Sequence, residues 1–273
     1  MKKIGIIGFG NIGYGLAKAV LDGTVPNAEI VAVYEPNVLP AFEEFKSNAK
    51  NPVKFYTDFE EFLKTSMDIV VEAANPVVVK TLAKKILAAG FDFMMMSVGG
   101  LIENGFLAEL EKLAEANDVV IIVPCGAITG QNIAAAGAIA GLDEVVIQST
   151  KGIGGLKDAP YFKEKQMDIS TLTEAQVVFR GDVFDAVKYF PQNVNVAASL
   201  ALAGIGPEKT TVEIVADPHS SDIKQNVRIT GKFGTMSCSL TLMPSPNKRS
   251  SYLAMLGAIA ALKKYVSPIK IGY

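Results

Sequence analysis

Cysteine, histidine and tryptophan are scarce in this sequence, and their scarcity excludes several kinds of site. The 273 residues include two cysteines, one histidine and no tryptophan. Cys125 and Cys238 are far apart and lack the paired spacing of zinc sites and disulfide frameworks, so we expect no metal and a reducing compartment. His219 is the single example of the residue type that most often transfers protons near neutral pH.

Clusters of basic residues and long apolar runs are also missing. The formal net charge is −2, and no run of lysine and arginine is long enough to follow a phosphate backbone, so we expect no nucleic-acid partner. Glycines at positions 5, 8 and 10 interrupt the apolar run after the N-terminus, and no uninterrupted apolar span reaches membrane length. We therefore expect a cytoplasmic protein without a membrane partner.

The first half of the chain alternates β-rich runs with amphipathic stretches. This alternation is typical of a parallel sheet with helices on both faces, so we predict an α/β fold with an N-terminal doubly wound Rossmann sheet over residues 1–125. The predicted strands are residues 3–7, 29–34, 53–56, 68–73, 91–96 and 119–123, and the predicted helices are residues 12–21, 39–47, 59–64, 77–89 and 103–117.

The pattern changes near Pro124, where we place a domain boundary. Strands at short spacing then favour an antiparallel sheet, so residues 126–246 are predicted to form a second α/β (α+β) domain. Residues 247–273 include apolar side chains at helical spacing and are expected to pack back on a domain face as a helix. The elements predicted here are helices at 127–140, 194–203 and 250–265 and strands at 145–150, 210–216, 226–230 and 235–242.

A glycine-rich turn directly follows the first predicted strand. Gly8 permits the tight exit from the strand, Gly10 lets the backbone approach a pyrophosphate, and Gly13 allows the helix to pack close to the sheet. The N-terminus of the next helix presents free N–H groups and a partial positive charge to the phosphates. This arrangement predicts a dinucleotide site with contacts at Gly8, Gly10, Asn11, Ile12 and Gly13.

An acidic residue, Glu35, follows the second predicted strand at about the spacing of a ribose-binding acid. Its carboxylate would accept hydrogen bonds from the adenosine ribose hydroxyls and repel a 2′-phosphate. Residues 36–38 include no arginine or lysine that would reverse this preference. The sequence therefore favours NAD as the cofactor, with NADP possible. A solvated acid at a strand end is the alternative interpretation.

Two further strand ends are expected at the same carboxyl edge of the sheet. Ala74 and Asn75 follow the fourth predicted strand, and small residues at 97–100 follow the fifth. These residues could leave room for the ribose and nicotinamide, so Ala74 and Asn75 are candidate cofactor contacts. Ordinary turn chemistry would also explain the Asn-Pro and Gly-Gly pairs found there.

Four longer phrases accompany the glycine-rich turn. They are Pro124-Cys125-Gly126-Ala127-Ile128, Phe190-Pro191-Gln192-Asn193-Val194-Asn195-Val196, Val215-Ala216-Asp217-Pro218 and Pro244-Ser245-Pro246-Asn247. Together with the turn, they resemble the L-aspartate dehydrogenase family over nearly the whole chain.

This resemblance implies a Rossmann domain followed by a catalytic domain that also forms a homodimer. The implied reaction interconverts L-aspartate and iminoaspartate, or oxaloacetate plus ammonia, with NAD(P). Carried over by residue, the resemblance implies cofactor contacts at Ala127 and Asn195 and substrate contacts at Asn193, Asn247 and Arg249.

The chain departs from the family at the family's catalytic histidine. Matching the phrases through to Gly231-Lys232-Phe233-Gly234 without gaps places Gln225 there, and a carboxamide cannot exchange a proton near neutral pH. His219 is a catalytic candidate if its loop reaches the site, or else an ordinary loop histidine. Lys151 is the second catalytic candidate, able to bind a substrate carboxylate, or else a surface charge.

We therefore predict an NAD(P)-dependent oxidoreductase that resembles L-aspartate dehydrogenase and acts on a small amino or imino acid. One alternative is an NAD-dependent reductase of a different imino or oxo acid. Another is a catalytically silent NAD-binding sensor, which would retain the fold without a proton-transfer group. A Cys125 thiolate at a helix N-terminus would instead suit an aldehyde dehydrogenase, although a small residue in a packed turn is the simpler interpretation.

Overall fold

The computed structural model describes residues 1–37, 39–49, 51–191, 194–243 and 251–271. The chain divides into two compact units, Met1–Pro124 with Met255–Tyr273 and Cys125–Ala254. Within the described ranges, no helix combines the length and the apolar character needed to cross a bilayer.

The first unit contains a six-stranded parallel sheet in the order β3-β2-β1-β4-β5-β6. This is the Rossmann strand order, so the predicted doubly wound sheet is confirmed. All four residues of β4 are buried, as expected for a strand covered on both faces. The strands are β1 (Lys2–Ile7), β2 (Ala28–Tyr34), β3 (Lys54–Tyr56), β4 (Ile69–Glu72), β5 (Asp92–Met95) and β6 (Ile121–Ile122).

Helices connect these strands, as parallel pairing requires. They are α1 (Asn11–Leu21), α2 (Pro40–Asn48), α3 (Phe59–Leu63), α4 (Pro76–Ala88) and α5 (Phe106–Ala116). Leu16 of α1 is fully buried in one core with Ile4 and Ile6 of β1. Ala258 and Leu262 belong to the same core, which attaches the C-terminal helix to the first unit.

The second unit contains a five-stranded sheet in the order β11-β10-β7-β9-β8. The strands β7 and β9 are parallel and the other pairs are antiparallel, so the predicted antiparallel pairing is wrong for this one pair and the sheet is mixed. The long connection between β7 and β9 makes the crossover that parallel pairing needs. The strands are β7 (Leu142–Lys151), β8 (Gln176–Gly181), β9 (Thr210–Ala216), β10 (Ile223–Gly231) and β11 (Gly234–Leu242).

The helices of the second unit are α6 (Gln131–Ala140), α7 (Pro160–Glu164), α8 (Val183–Tyr189) and α9 (Asn195–Ala203), and α10 (Tyr252–Val266) follows them in the chain. The prediction that α6 begins at residue 127 is wrong. Gly130 precedes the helix with a φ of +97°, in the left-handed region, so helical geometry starts only at Gln131.

Candidate active site

The glycine-rich turn uses its three glycines in different ways. Gly8 has a φ of +86°, and a Cβ atom there would lie 2.8 Å from the Ala73 carbonyl oxygen. A Cβ atom on Gly13 would collide with the Gly8 carbonyl oxygen. Gly10 has an ordinary φ of −74°. A Cβ atom on it would meet no atom within 4 Å, so the side of the turn at Gly10 is open. Gly8 and Gly13 therefore shape the turn, and Gly10 leaves access to its backbone.

The helix α1 begins at the open side of this turn. Within the described chain, no side chain caps α1 and no acidic residue lies in its first turn. The Asn11 Nδ2 atom is buried and has no hydrogen-bond partner among the described residues. Free N–H groups, the helix dipole and this unused donor all favour an anion. The turn therefore fits the pyrophosphate of a dinucleotide.

Glu35 lies beside the turn, as the sequence predicted for the acidic residue of the site. Its Oε2 atom accepts a hydrogen bond from the Phe9 N–H at 3.1 Å, and its Oε1 atom accepts one from the Asn37 N–H at 3.3 Å. The carboxylate is half-buried between the end of β2 and the glycine-rich turn. The two sequence signals for a dinucleotide, the turn and the acid, are thus joined in space.

The loops after β4 and β5 are held together by a residue that the sequence reasoning missed. Glu72 is fully buried at the end of β4. Its Oε1 atom accepts hydrogen bonds from the Ala74 N–H at 2.7 Å and the Ser97 hydroxyl at 2.8 Å, while Oε2 accepts one from the Ser97 N–H at 3.0 Å. Burial raises the pKa of its carboxyl group. The sequence feature that could have identified Glu72 is a glutamate at the end of an otherwise apolar strand.

Asn75 has a structural task at the same sheet edge. Its Oδ1 atom accepts hydrogen bonds from the Val77 and Val78 N–H groups and so caps α4. Ala74 is exposed at the edge. Both residues stay predicted cofactor contacts.

In the second unit, three polar side chains gather at one end of the sheet. Gln225 of β10 pairs with Ser149 of β7, and both are buried, with exposed fractions of 5% and 3%. Lys151 ends β7 two residues further along and is half-buried. Burial lowers the pKa of the Lys151 ammonium to about 8. An amine that titrates close to neutrality is suited to proton transfer.

His219 lies in the loop that follows β9. The Asp217 N–H donates to the Lys151 carbonyl oxygen at 2.9 Å, which places this loop at the same end of the sheet as Lys151. The His219 ring is exposed, and its Nε2 atom is 3.0 Å from the Thr173 carbonyl oxygen. That nitrogen carries its proton toward the main chain, because a carbonyl oxygen can only accept.

The remaining candidates of the second unit lie in different settings. Ala127 is buried in the turn before α6, and Asn195 is half-buried at the start of α9. Cys125 is exposed, and α6 begins only at Gln131, so placing Cys125 at a helix N-terminus was wrong. Asn193, Asn247 and Arg249 lie outside the described residues. Within the described ranges, no group of three or more His, Cys, Asp or Glu side chains could hold a metal ion.

Comparison with known proteins identifies the family. The L-aspartate dehydrogenase of Methanosarcina mazei is 37% identical to this chain over 274 residues, and the alignment covers 100% of both chains. The chain belongs to the L-aspartate dehydrogenase family. The enzyme of the same name from Methanosarcina acetivorans is 36% identical, again over 100% of both chains. The crystal structure of aspartate dehydrogenase from Thermotoga maritima matches 100% of both chains with a TM-score of 0.75 and 25% identity.

Two family profiles divide the chain between them. The profile described as the NAD binding domain of homoserine dehydrogenase matches residues 8–124. The profile described as the C-terminal domain of aspartate dehydrogenase matches residues 132–265. The resemblance inferred from the sequence and the NAD-binding character of the first unit are thereby confirmed.

Proposed function

We propose that this protein is an NAD-linked L-aspartate dehydrogenase. The observation that carries the proposal is the hydrogen bond from the Phe9 N–H of the glycine-rich turn to the Glu35 carboxylate, which supports an NAD site. The chain that holds this site aligns over its full length with an L-aspartate dehydrogenase. Bound NAD would supply the hydride acceptor for the α-carbon of the amino acid. The residues of the chain bind the two reactants, exclude water and move the proton.

NAD is the proposed cofactor in preference to NADP. The Glu35 carboxylate would hydrogen-bond the adenosine ribose hydroxyls and repel a 2′-phosphate, and the neighbouring Pro36 and Asn37 carry no positive charge. Asn11, with its unused side-chain donor, supports the same site from the phosphate side.

Lys151 is the proposed acid–base residue. Oxidation of L-aspartate would remove one proton from its α-ammonium group and one hydride from its α-carbon, with bound NAD as the hydride acceptor, and would leave iminoaspartate. A neutral Lys151 amine accepts that proton, and a pKa of about 8 makes both of its forms available near neutral pH. In the reductive direction the Lys151 ammonium returns the proton.

His219 is kept as the alternative acid–base residue. Its loop lies at the same end of the sheet, but its ring is exposed and directed at the Thr173 carbonyl oxygen. A His219→Ala variant that retains full activity would remove His219 from the mechanism, leaving Lys151.

The test of the proposed function is a panel of reductive reactions. The protein is mixed with NADH and ammonium, first with oxaloacetate and then with other oxo acids, and the absorbance of the reduced cofactor is followed. Turnover with oxaloacetate and formation of L-aspartate support the proposal. Turnover only with another acid would favour the alternative reductase, and tight NADH binding without any turnover would favour the sensor.

A homodimer in the cytoplasm is the proposed state of the protein. The family resemblance implies the dimer, and cysteines that form no disulfide in the described chain are compatible with a reducing compartment. Light scattering coupled to gel filtration gives the molar mass directly, and a value equal to one chain of 29.0 kDa would contradict the dimer.

A further inference from the structure

A buried carboxamide lies on a face of the second sheet that also carries buried apolar side chains. Along β10, Val227 and Ile229 are 2% and 0% exposed, and their side chains contact the position of Gly130 just before α6. Gln225 lies on the same face because side chains of a strand alternate between its two faces. It pairs with Ser149 on β7, where Ile147 continues the apolar face.

The Gln225 side-chain oxygen is buried without a hydrogen-bond partner among the described residues. Such an atom loses its hydrogen bonds to water on folding and gains nothing in return, which destabilises the fold. Native proteins rarely keep a buried polar atom in this state unless a ligand or a bound water satisfies it. A carboxamide oxygen can only accept, so the missing partner is a hydrogen-bond donor.

The position of Gln225 places this acceptor beside the proposed acid–base residue. Ser149 and Lys151 are two residues apart on β7 and therefore share a face. Gln225 is opposite Ser149, so it is a diagonal neighbour of Lys151 across the antiparallel pair. An acceptor, a hydroxyl group and an amine thus meet at one end of the sheet.

We propose that the Gln225 oxygen accepts a hydrogen bond from the α-nitrogen of the substrate and so selects amino and imino acids over oxo acids. The inference rests on the proposed function. L-Aspartate and iminoaspartate both carry N–H donors on the α-carbon, and these satisfy the buried oxygen. Oxaloacetate carries only a carbonyl oxygen there, and two acceptors facing each other repel.

The test uses Gln225→Met, a side chain of similar shape without the acceptor, with Gln176→Met as the matched control. Gln176 is exposed at the start of β8. Three quantities are measured: the KM for L-aspartate, the inhibition constant of oxaloacetate against L-aspartate, and the Tm of the protein without ligands. NADH affinity is measured as a check on the first unit.

In Gln225→Met we expect the KM for L-aspartate to rise about tenfold, as loss of one hydrogen bond in a buried site would produce. The inhibition constant of oxaloacetate stays unchanged or falls, and NADH affinity is unchanged. The Tm rises by about 2 °C or more, because an unsatisfied buried acceptor has been removed. Gln176→Met changes none of these quantities.

Two results would overturn the inference while leaving the proposed function intact. A fall in Tm, with the KM and the inhibition constant rising together, would mean that Gln225 only supports the fold. A higher Tm with both constants unchanged would mean that the orphaned oxygen has no ligand. If the unsubstituted protein does not oxidise L-aspartate, the proposed function fails and the inference fails with it.

Discussion

At the residue scale, we assign the proposed preference for NAD to one carboxylate, that of Glu35. We expect Glu35→Gln to lower the ratio of NADH to NADPH affinity by about tenfold or more, because the charge that repels the 2′-phosphate is lost while the side-chain shape is kept. Fluorescence titration with each reduced cofactor measures the ratio. Glu29→Gln, at the opposite end of β2, is the matched control and leaves the ratio unchanged. An unchanged ratio in Glu35→Gln would contradict the assignment.

The proposed proton-transfer residue is a second side chain, Lys151. Its pKa of about 8 predicts that kcat/KM for L-aspartate oxidation rises with pH and levels off above about pH 8, since the neutral amine is the base. Lys151→Met should lower kcat/KM by about 100-fold and abolish the rise of kcat/KM with pH. His219→Ala serves as the comparison and should retain that rise. Loss of the rise in His219→Ala alone would assign proton transfer to His219.

The lowered pKa of Lys151 also predicts how the stability of the protein changes with pH. Its pKa falls from 10.5 to about 8 on burial, so the unfolded chain binds more protons between those two values. The free energy of unfolding therefore gains a contribution that rises with pH across that window, and Lys151→Met loses that contribution. Urea unfolding at several pH values measures it, and identical pH profiles for the two proteins would refute the prediction.

At the element scale, different glycines of the strand–turn–helix unit are expected to support its fold and its cofactor binding. We expect Gly10→Ala to keep the Tm while weakening NADH binding by about tenfold, because its φ of −74° suits alanine and its Cβ atom would fill only the space left for the pyrophosphate. Gly13→Ala should instead lower the Tm, since its Cβ atom would collide with the Gly8 carbonyl oxygen. Thermal unfolding and NADH titration of both variants distinguish the two effects, and unchanged NADH affinity in Gly10→Ala would count against a pyrophosphate at this turn.

The sequence predicted the first sheet well because its strands are short apolar runs separated by amphipathic helices. Every parallel strand of the first unit overlaps its predicted range. The second unit was harder. Periodicity locates β7 but does not show that β9 pairs with it in parallel, because that pairing depends on a crossover of intervening elements. The helices α7 and α8 and the strand β8 lie in a stretch for which no element was predicted.

The site residues differ in the same way in how far the sequence could predict them. The turn and Glu35 were predictable because their spacing belongs to one local motif. The burial of Gln225 opposite Ser149 was not, because it depends on the register of two strands that are far apart in sequence. The lowered pKa of Lys151 likewise comes from burial, which one sequence does not display.

At the scale of the whole molecule, the chain carries an NAD-binding unit and a second unit with an aspartate dehydrogenase profile. The alignment with the Methanosarcina mazei enzyme covers 100% of the chain at 37% identity, so Gln225 lies within the aligned range. We propose that these two units together perform NAD-linked dehydrogenation of L-aspartate with Lys151, rather than a histidine, as the proton-transfer residue.

The most direct measurement is the initial rate of L-aspartate oxidation with NAD and, separately, with NADP. Reduced cofactor is followed by absorbance, and oxaloacetate and ammonia are identified as products. We expect turnover with L-aspartate that is faster with NAD than with NADP, and a large loss of that turnover in Lys151→Met. Binding of NADH without oxidation of L-aspartate by the unsubstituted protein would contradict this expectation.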